Sequence, residues 1–160
     1  MTGMRRLESH GISLLVPVGW EARFTGPAAR LDDGGHAQPY LHAGNFALPA
    51  IRAPFGGGVV GELAPPHVFV ALLEYAPEGA TTPLFGSHGV PVRLEASDFS
   101  ASTLQRSLRG QAGCQRFFHA ADRAFCLYVV LGGRAAYQRG LDDVNALLWS
   151  TRVHAVSVTS

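Results

Sequence analysis

Apolar and polar residues alternate in two short stretches that begin soon after Met1. A Pro/Gly turn, Pro17-Val18-Gly19, separates the two stretches. Period-two alternation is typical of a half-buried strand, and a turn between two such strands is typical of a hairpin. The pattern therefore predicts a hairpin over residues 12–24. Its apolar positions are Ile12, Leu14, Val16, Trp20, Ala22 and Phe24.

Further along the chain, two stretches are apolar on both faces, which is typical of strands at the centre of a sheet. They are residues 67–75 and 124–131, and the second forms a predicted hairpin with residues 115–120. Shorter strands are predicted at residues 40–48, 90–94 and 151–158.

A helix is predicted over residues 134–150, because apolar residues recur there at helical spacing. The stripe consists of Tyr137, Leu141, Val144 and Leu148. Gly140 weakens the middle of this helix by ~1 kcal/mol relative to alanine, so the helix can break there and restart at Leu141. Ser100 can cap a short second helix that ends near Leu108.

These elements favour an α+β fold in a single domain of residues 1–160. We expect a mainly antiparallel sheet of about six strands, with the C-terminal helix packed on one face. The opposite face also needs a cover, because the central strands are apolar on both sides. The candidate covers are the short second helix, the irregular loops at residues 50–66 and 76–89, or another subunit.

Composition is ordinary for a globular protein, with 47% apolar residues, 16% charged residues and a net charge of +1. This charge provides no basic face large enough to indicate binding to nucleic acid or to an anionic membrane. No apolar run reaches the ~20 residues that a membrane span needs, and the first residues do not resemble a signal peptide. We therefore expect a soluble, cytoplasmic protein.

The chain contains thirteen arginines and no lysine. Without a lysine amine no Schiff base forms on a side chain, which excludes pyridoxal phosphate and class I aldolase chemistry. A lysine-containing phosphate-binding loop and kinase-type phosphoryl transfer are excluded for the same reason. No motif indicates another cofactor, so none is expected.

Cys114 and Cys126 are the two cysteines of the chain. A hairpin turn near Asp122 would place Cys126 opposite Phe118, out of register with Cys114. A disulfide needs Cα atoms within ~7 Å, so we expect two free thiols in a reducing compartment. The seven histidines show no metal-ligand spacing, and no metal site is expected.

His42, Asn45 and Glu74 are polar residues within or at the end of predicted strands. A histidine near a carboxylate on one face of a sheet can act as a general base. Alternatively, His42 and Asn45 occupy an exposed or edge part of the sheet, since the sequence does not show that these strands meet.

Arg106, Arg109 and Arg116 cluster around Gly110. Arginines can hold a carboxylate or a phosphate by bidentate contacts. They also suit a solvated helix end, where cations interact favourably with the helix dipole. The glycine run at residues 56–58 likewise can cradle an anion with its backbone N–H groups or form a flexible loop.

The segment Val16-Pro17-Val18-Gly19-Trp20 resembles the opening of PsbP/Mog1-like domains, in which a strand, a proline and a Gly-Trp pair follow one another. The chain is also similar to uncharacterised actinobacterial proteins, through the stretches GISLLVPVGWEARF, LHAGNFALP, QAGCQRFF and RAFCLYVVLG. PsbP/Mog1-like domains are mostly accessory or partner-binding, so the resemblance implies that role and no catalytic residues.

Three functions fit these observations. The first is a non-catalytic soluble domain that binds a protein partner or another copy of itself, which the low charge density and sparse helix favour. The second is a small-molecule pocket or an enzyme between the sheet and the loops at residues 50–66 and 76–89, with His42, Glu74 and Arg116 as its polar set. The third is a structural component of a larger assembly.

Overall fold

The computed structural model describes residues 3–25, 40–50, 54–104 and 108–155. Within these ranges the chain forms eight strands and one α-helix. The strands are β1 (Arg5–Ser9), β2 (Ile12–Val16), β3 (Glu21–Thr25), β4 (Tyr40–Gly44), β5 (Val68–Tyr75), β6 (Ala112–Ala120), β7 (Arg123–Leu131) and β8 (Arg152–Val153), and the helix is α1 (Arg139–Ser150).

The predicted α+β class, the antiparallel pairing and the C-terminal helix are confirmed. The prediction of one sheet with about six strands needs correction, because the strands form two sheets. The small sheet has the order β1-β2-β8, and the large sheet has the order β3-β4-β5-β7-β6.

The predicted hairpin over residues 12–24 is wrong in its pairing. β2 pairs with β1, and β3 pairs with β4, so the Pro17-Val18-Gly19 turn connects the two sheets. The alternation itself is correct, since Ile12 and Leu14 are buried. Alternation fixes which face of a strand is buried, but it does not identify the neighbouring strand.

The second predicted hairpin is confirmed as β6 and β7. Its turn residues Ala121 and Asp122 both have positive φ, the pattern of a type I′ turn. Cys126 lies opposite Phe117, one residue away from the predicted partner Phe118. Cys114 lies opposite Val129, and the two thiols occupy opposite faces of the sheet, where both are buried and free.

The helix α1 is shorter than the predicted 134–150 helix, because Arg134–Ala136 forms a separate 3-10 turn. The apolar stripe is buried as predicted at Leu141, Val144 and Leu148. Gly140 does not break the helix. A Cβ atom there would lie 2.6 Å from Cγ2 of Val68, so the glycine allows α1 to approach β5 closely.

Several other predicted elements are shorter than expected or absent. The predicted strand at residues 40–48 ends at Gly44, and residues 90–94 form no strand. Ser100 caps the 3-10 turn Ala101–Thr103. Residues 105–107 of the predicted second helix lie outside the described residues, and its described part contains no helix longer than this turn. The predicted strand at residues 151–158 is reduced to β8 within its described part.

Apolar residues form one core on each face of the large sheet. The larger core lies between this sheet, the small sheet and α1. The smaller core is covered by irregular backbone of the same chain, which contributes Phe55, Val59, Val60, Leu63 and Leu104. The cover that the central strands require is therefore mainly the loop before β5. No described helix has the length and apolar character that crossing a bilayer would require.

Candidate functional site

The structure places His42 inside the smaller core, where it has no exposed surface. Its ring lies between those of Tyr40 and Phe69, with centroids 4.8 and 4.9 Å away. Nε2 of His42 donates a hydrogen bond of 2.7 Å to the carbonyl oxygen of Pro54. His42 thus joins the loop before β5 to β4. It lies neither on an exposed face nor on an edge strand of the sheet.

Asn45 also stabilises the backbone. Its Nδ2 donates to the carbonyl oxygen of Pro66 at 3.0 Å, and its Oδ1 accepts from the N–H of Val68 at 2.7 Å. Both ends of the amide are used to hold the segment that enters β5, which accounts for an asparagine immediately after β4.

Glu74 forms a buried ion pair with Arg123, and the two side chains are only 8% and 5% exposed. Nε and Nη2 of Arg123 donate to the two carboxylate oxygens at 2.8 and 2.7 Å. Arg123 also donates to the carbonyl oxygens of His10 and His154, both at 2.8 Å. The guanidinium therefore joins the large sheet to the turn between β1 and β2 and to the residue that follows β8.

His42 and Glu74 do not form a site together. His42 is paired with Ala71 on β5, three residues before Glu74, and an odd spacing along a strand places side chains on opposite faces. A carboxylate on one face of the sheet does not orient an imidazole on the other. The sequence did not identify Arg123 as the partner of Glu74, because 49 positions separate them.

The three predicted arginines are not brought together either. Arg116 pairs with Asp98 at 2.8 Å on the partly exposed surface of β6. Arg109 is exposed and lines a groove that Arg116 does not line. Arg106 lies outside the described residues.

The two thiols do not have the properties of catalytic nucleophiles. Burial raises the pKa of Cys126 from 9.0 to about 11, although a hydrogen bond from Gln115 opposes the shift. Burial also raises the pKa of Cys114. A raised thiol pKa leaves little thiolate near neutral pH. Within the described part of the chain, no three His, Cys, Asp or Glu side chains are arranged to hold a metal ion.

The most conspicuous surface feature is Trp149, which is 67% exposed near the end of α1. Leu15 on β2 lies beside it and is 37% exposed. Trp149 and Leu15 line a shallow groove of about 510 Å³, which we call the Trp149 surface. Its remaining lining residues are Arg6, Ser13, Leu14, Ser150, Arg152 and His154.

Local contacts fix the position of the Trp149 surface. Oγ of Ser150 accepts a hydrogen bond of 2.9 Å from the N–H of Leu15, which ties the end of α1 to β2. Arg152 donates to the carbonyl oxygen of Trp149 at 2.7 Å. Leu148 belongs to the buried stripe of α1. Successive residues of an α-helix are about 100° apart around its axis, so the side chain of Trp149 is turned away from the core.

The Trp149 surface is basic as well as apolar. Arg6, Arg152 and His154 line it, and it has no acidic lining residue. Arg6 is paired with Glu8 at 2.7 Å, whereas Arg152 has no carboxylate partner in the described part of the chain. Trp149 was not predicted from the sequence as a site residue, although a tryptophan in the last turn, next to the apolar stripe of the helix, was the available signal.

Comparison of the chain with family models, with curated proteins and with solved structures gave no match.

Proposed function

We propose that the protein is a non-catalytic accessory domain that binds a protein partner through the Trp149 surface. The observation that carries the proposal is the 67% exposure of Trp149 beside the exposed side chain of Leu15. Tryptophan and arginine are the residues most enriched among those that dominate binding energy in protein interfaces. Leaving an indole in water costs free energy that a partner would recover on burying it.

The charges on this surface favour a partner that is acidic around an apolar anchor. Arg6, Arg152 and His154 would meet carboxylates at the rim, while the anchor would pack on Trp149 and Leu15. A second copy of the chain would bring the same basic residues to the interface, and like charges disfavour that pairing. A different protein is therefore the preferred occupant.

The sequence left open whether a second helix, a loop or another subunit covers the second face of the large sheet, and the loop before β5 covers it. The enzyme alternative loses its polar set, because His42, Glu74 and Arg116 have separate structural partners. The resemblance of the segment around Trp20 to PsbP/Mog1-like domains points to an accessory role as well.

The first test is light scattering after size-exclusion chromatography over a wide concentration range. We expect a monomer, since the proposed partner is a different protein. A dimer that persists in the wild type and dissociates in Trp149→Ala would replace the partner by a second copy. A large assembly that Trp149→Ala does not alter would instead support a structural component.

The second test compares proteins captured from the native cells by the wild type, by Trp149→Ala and by Leu84→Ala. Leu84 is the matched control, because it is 59% exposed and lies outside the Trp149 surface. We expect one species to be retained by the wild type and Leu84→Ala and lost with Trp149→Ala. Equal retention by all three would contradict the proposal. Far-UV circular dichroism checks that each variant is folded.

A further inference from the structure

Two histidines meet at the outer edge of the large sheet, where β6 is the edge strand. The N–H of His119 on β6 donates to the carbonyl oxygen of Ser87 at 2.9 Å, and the N–H of Gly89 donates to the carbonyl oxygen of His119 at 2.8 Å. These bonds pair His88 directly with His119 in a parallel bridge. Residues paired in this way present their side chains on the same face of a sheet.

The two imidazole rings have the separation of rings that share a metal ion. Their centroids are 5.1 Å apart, and their planes are inclined by 48°. Zinc–nitrogen bonds are ~2.0–2.1 Å long, so two imidazoles on one tetrahedral ion have centroids roughly 5 Å apart. The backbone pairing therefore already holds the rings at the distance that a shared ion requires.

The hydrogen bond of His119 prepares its ring for metal binding. Nδ1 of His119 donates to the carbonyl oxygen of Phe85. Because a carbonyl oxygen can only accept, Nδ1 of the neutral ring carries the proton and Nε2 keeps a lone pair. Histidines that bind metals almost always donate their other ring N–H to a backbone carbonyl or a carboxylate. The contact with Phe85 thus fixes the tautomer and the orientation of a ligand that binds through Nε2.

The remaining ring nitrogens are not used by the rest of the described chain. No described residue forms a hydrogen bond with Nε2 of His119 or with the ring of His88. The side chain of His88 is exposed and that of His119 is half-buried, so an ion from solvent can reach the pair.

We infer that His88 and His119 together bind one divalent transition-metal ion such as Zn²⁺. Imidazole nitrogen suits zinc, copper and nickel, whereas magnesium and calcium prefer oxygen ligands. No third His, Cys, Asp or Glu side chain of the described chain completes the set. Catalytic zinc sites have three protein ligands and structural sites four, so an ion held by two exchanges with solvent and keeps water in its other positions.

Binding would join residues 87–89 to β6 through their side chains as well as through their backbone. The inference does not rest on the proposed protein partner, because neither His88 nor His119 lines the Trp149 surface.

Calorimetric titration of the wild type with zinc chloride and with magnesium chloride tests the inference. We expect one Zn²⁺ per chain and no Mg²⁺ binding at about 1 mM. His88→Asn and His119→Asn should each weaken Zn²⁺ binding by at least about tenfold, because each removes one of two ligands. The amide N–H of asparagine lies near the position of Nδ1, so His119→Asn can keep the bond to Phe85.

His10→Asn is the matched control. His10 is an exposed histidine outside the pair, and asparagine tolerates its positive φ of 53°. This variant should bind Zn²⁺ as the wild type does. Zn²⁺ should also raise the melting temperature of the wild type and of His10→Asn, and have little effect on the two variants of the pair, since an ion that binds the folded state stabilises it.

Three results would overturn the inference. They are no Zn²⁺ binding at about 1 mM, Mg²⁺ binding as tight as that of Zn²⁺, and equal Zn²⁺ affinity in the wild type and both variants of the pair. A loss in only one of the two variants would also overturn it, because a single histidine would then hold the ion. Circular dichroism checks the folding of each variant, and the exposed position of His88 decides the question if His119→Asn does not fold.

Discussion

Arg123 makes four hydrogen bonds and lies over the ring of Phe125, with its guanidinium carbon 5.3 Å from the ring centroid. A buried charge is stable only when its partners are in place, because burial removes the water that would otherwise solvate it. Arg123 and Glu74 therefore depend on one another, and removing either leaves an uncompensated charge.

Replacing Arg123 by methionine should lower the free energy of unfolding by about 3–5 kcal/mol, since Glu74 then remains buried without its partner. Urea denaturation followed by circular dichroism measures the change. The double variant Glu74→Met, Arg123→Met should recover part of the loss, because it leaves no buried carboxylate. If the double variant is no more stable than Arg123→Met, the loss comes from the carbonyls of His10 and His154 and the ion pair matters little.

Burial of the Cys126 thiol makes the free energy of unfolding depend on pH in alkaline solution. Its pKa rises from 9.0 to about 11 on folding, so the folded state holds the thiol proton more tightly than the unfolded state. The stabilisation is complete below pH 9 and is lost as the pH rises towards 11, by up to about 2–3 kcal/mol. Burial raises the pKa of Cys114 and of Tyr75 as well, and both add to the same trend.

Denaturation midpoints measured between pH 8 and pH 11 check this prediction. Cys126→Ala should show a shallower decline over that interval than the wild type, because the group with the largest effect has been removed. Parallel declines in the two proteins would show that Cys126 does not control the alkaline behaviour.

Single residues were predicted from the sequence with mixed success. The buried free thiols follow from ordinary preferences, since unpaired cysteine is among the most frequently buried residues. The environments of His42 and Glu74 could not be predicted from the sequence, because each depends on a partner from another strand or loop. Arg123, which comes directly after a turn, has the local sequence of an exposed residue.

The turn between β6 and β7 contains two residues whose backbone conformation is unfavourable for residues other than glycine. Ala121 and Asp122 have φ values of 51° and 60°, a region that costs an ordinary residue about 1–2 kcal/mol. The equivalent turn between β1 and β2 uses His10 and Gly11, where the glycine removes this cost at one position.

The double variant Ala121→Asn, Asp122→Gly should raise the free energy of unfolding by about 1 kcal/mol, because Asn-Gly is the favoured pair for a type I′ turn. The melting temperature should rise by about 2–4 °C for a chain of this size. Asp122→Ala serves as the comparison, and it should give no gain. An unchanged melting temperature in the Asn-Gly variant would contradict the assignment of strain to this turn.

Gly140 lies inside α1, where alanine would normally stabilise a helix. Here the new Cβ atom would lie 2.6 Å from Val68, a buried residue whose branched side chain has little freedom. Overpacking of this kind costs about 1–3 kcal/mol, against a gain of about 1 kcal/mol from helix propensity.

We therefore expect Gly140→Ala to lower the free energy of unfolding by about 1 kcal/mol, measured by urea denaturation. Gly61→Ala is the control, because a Cβ atom at Gly61 would have no neighbour within 4 Å. That variant should change stability by less than about 0.5 kcal/mol. A more stable Gly140→Ala protein would show that α1 does not pack closely on β5.

At the level of elements, the sequence predicted the strands with two apolar faces and the hairpin of β6 and β7. These depend on local pattern and on a short turn. The separation of β2 and β3 into two sheets was not predictable, because it depends on β1 and β8, and β8 is far along the chain. The alternating pattern would be the same in either arrangement.

At the scale of the whole molecule, the pairing of β2 with β8 sets a constraint on the biosynthesis of the protein. Ile12 pairs with Val153, and Gly11 accepts a hydrogen bond from His154, although about 140 residues are translated between them. At ~5–20 residues per second, roughly 7–28 s pass before the ribosome supplies the strand that completes the small sheet. Throughout that interval the edge of β2 that later pairs with β8 lacks its partner, and an unpaired strand edge promotes association with other chains.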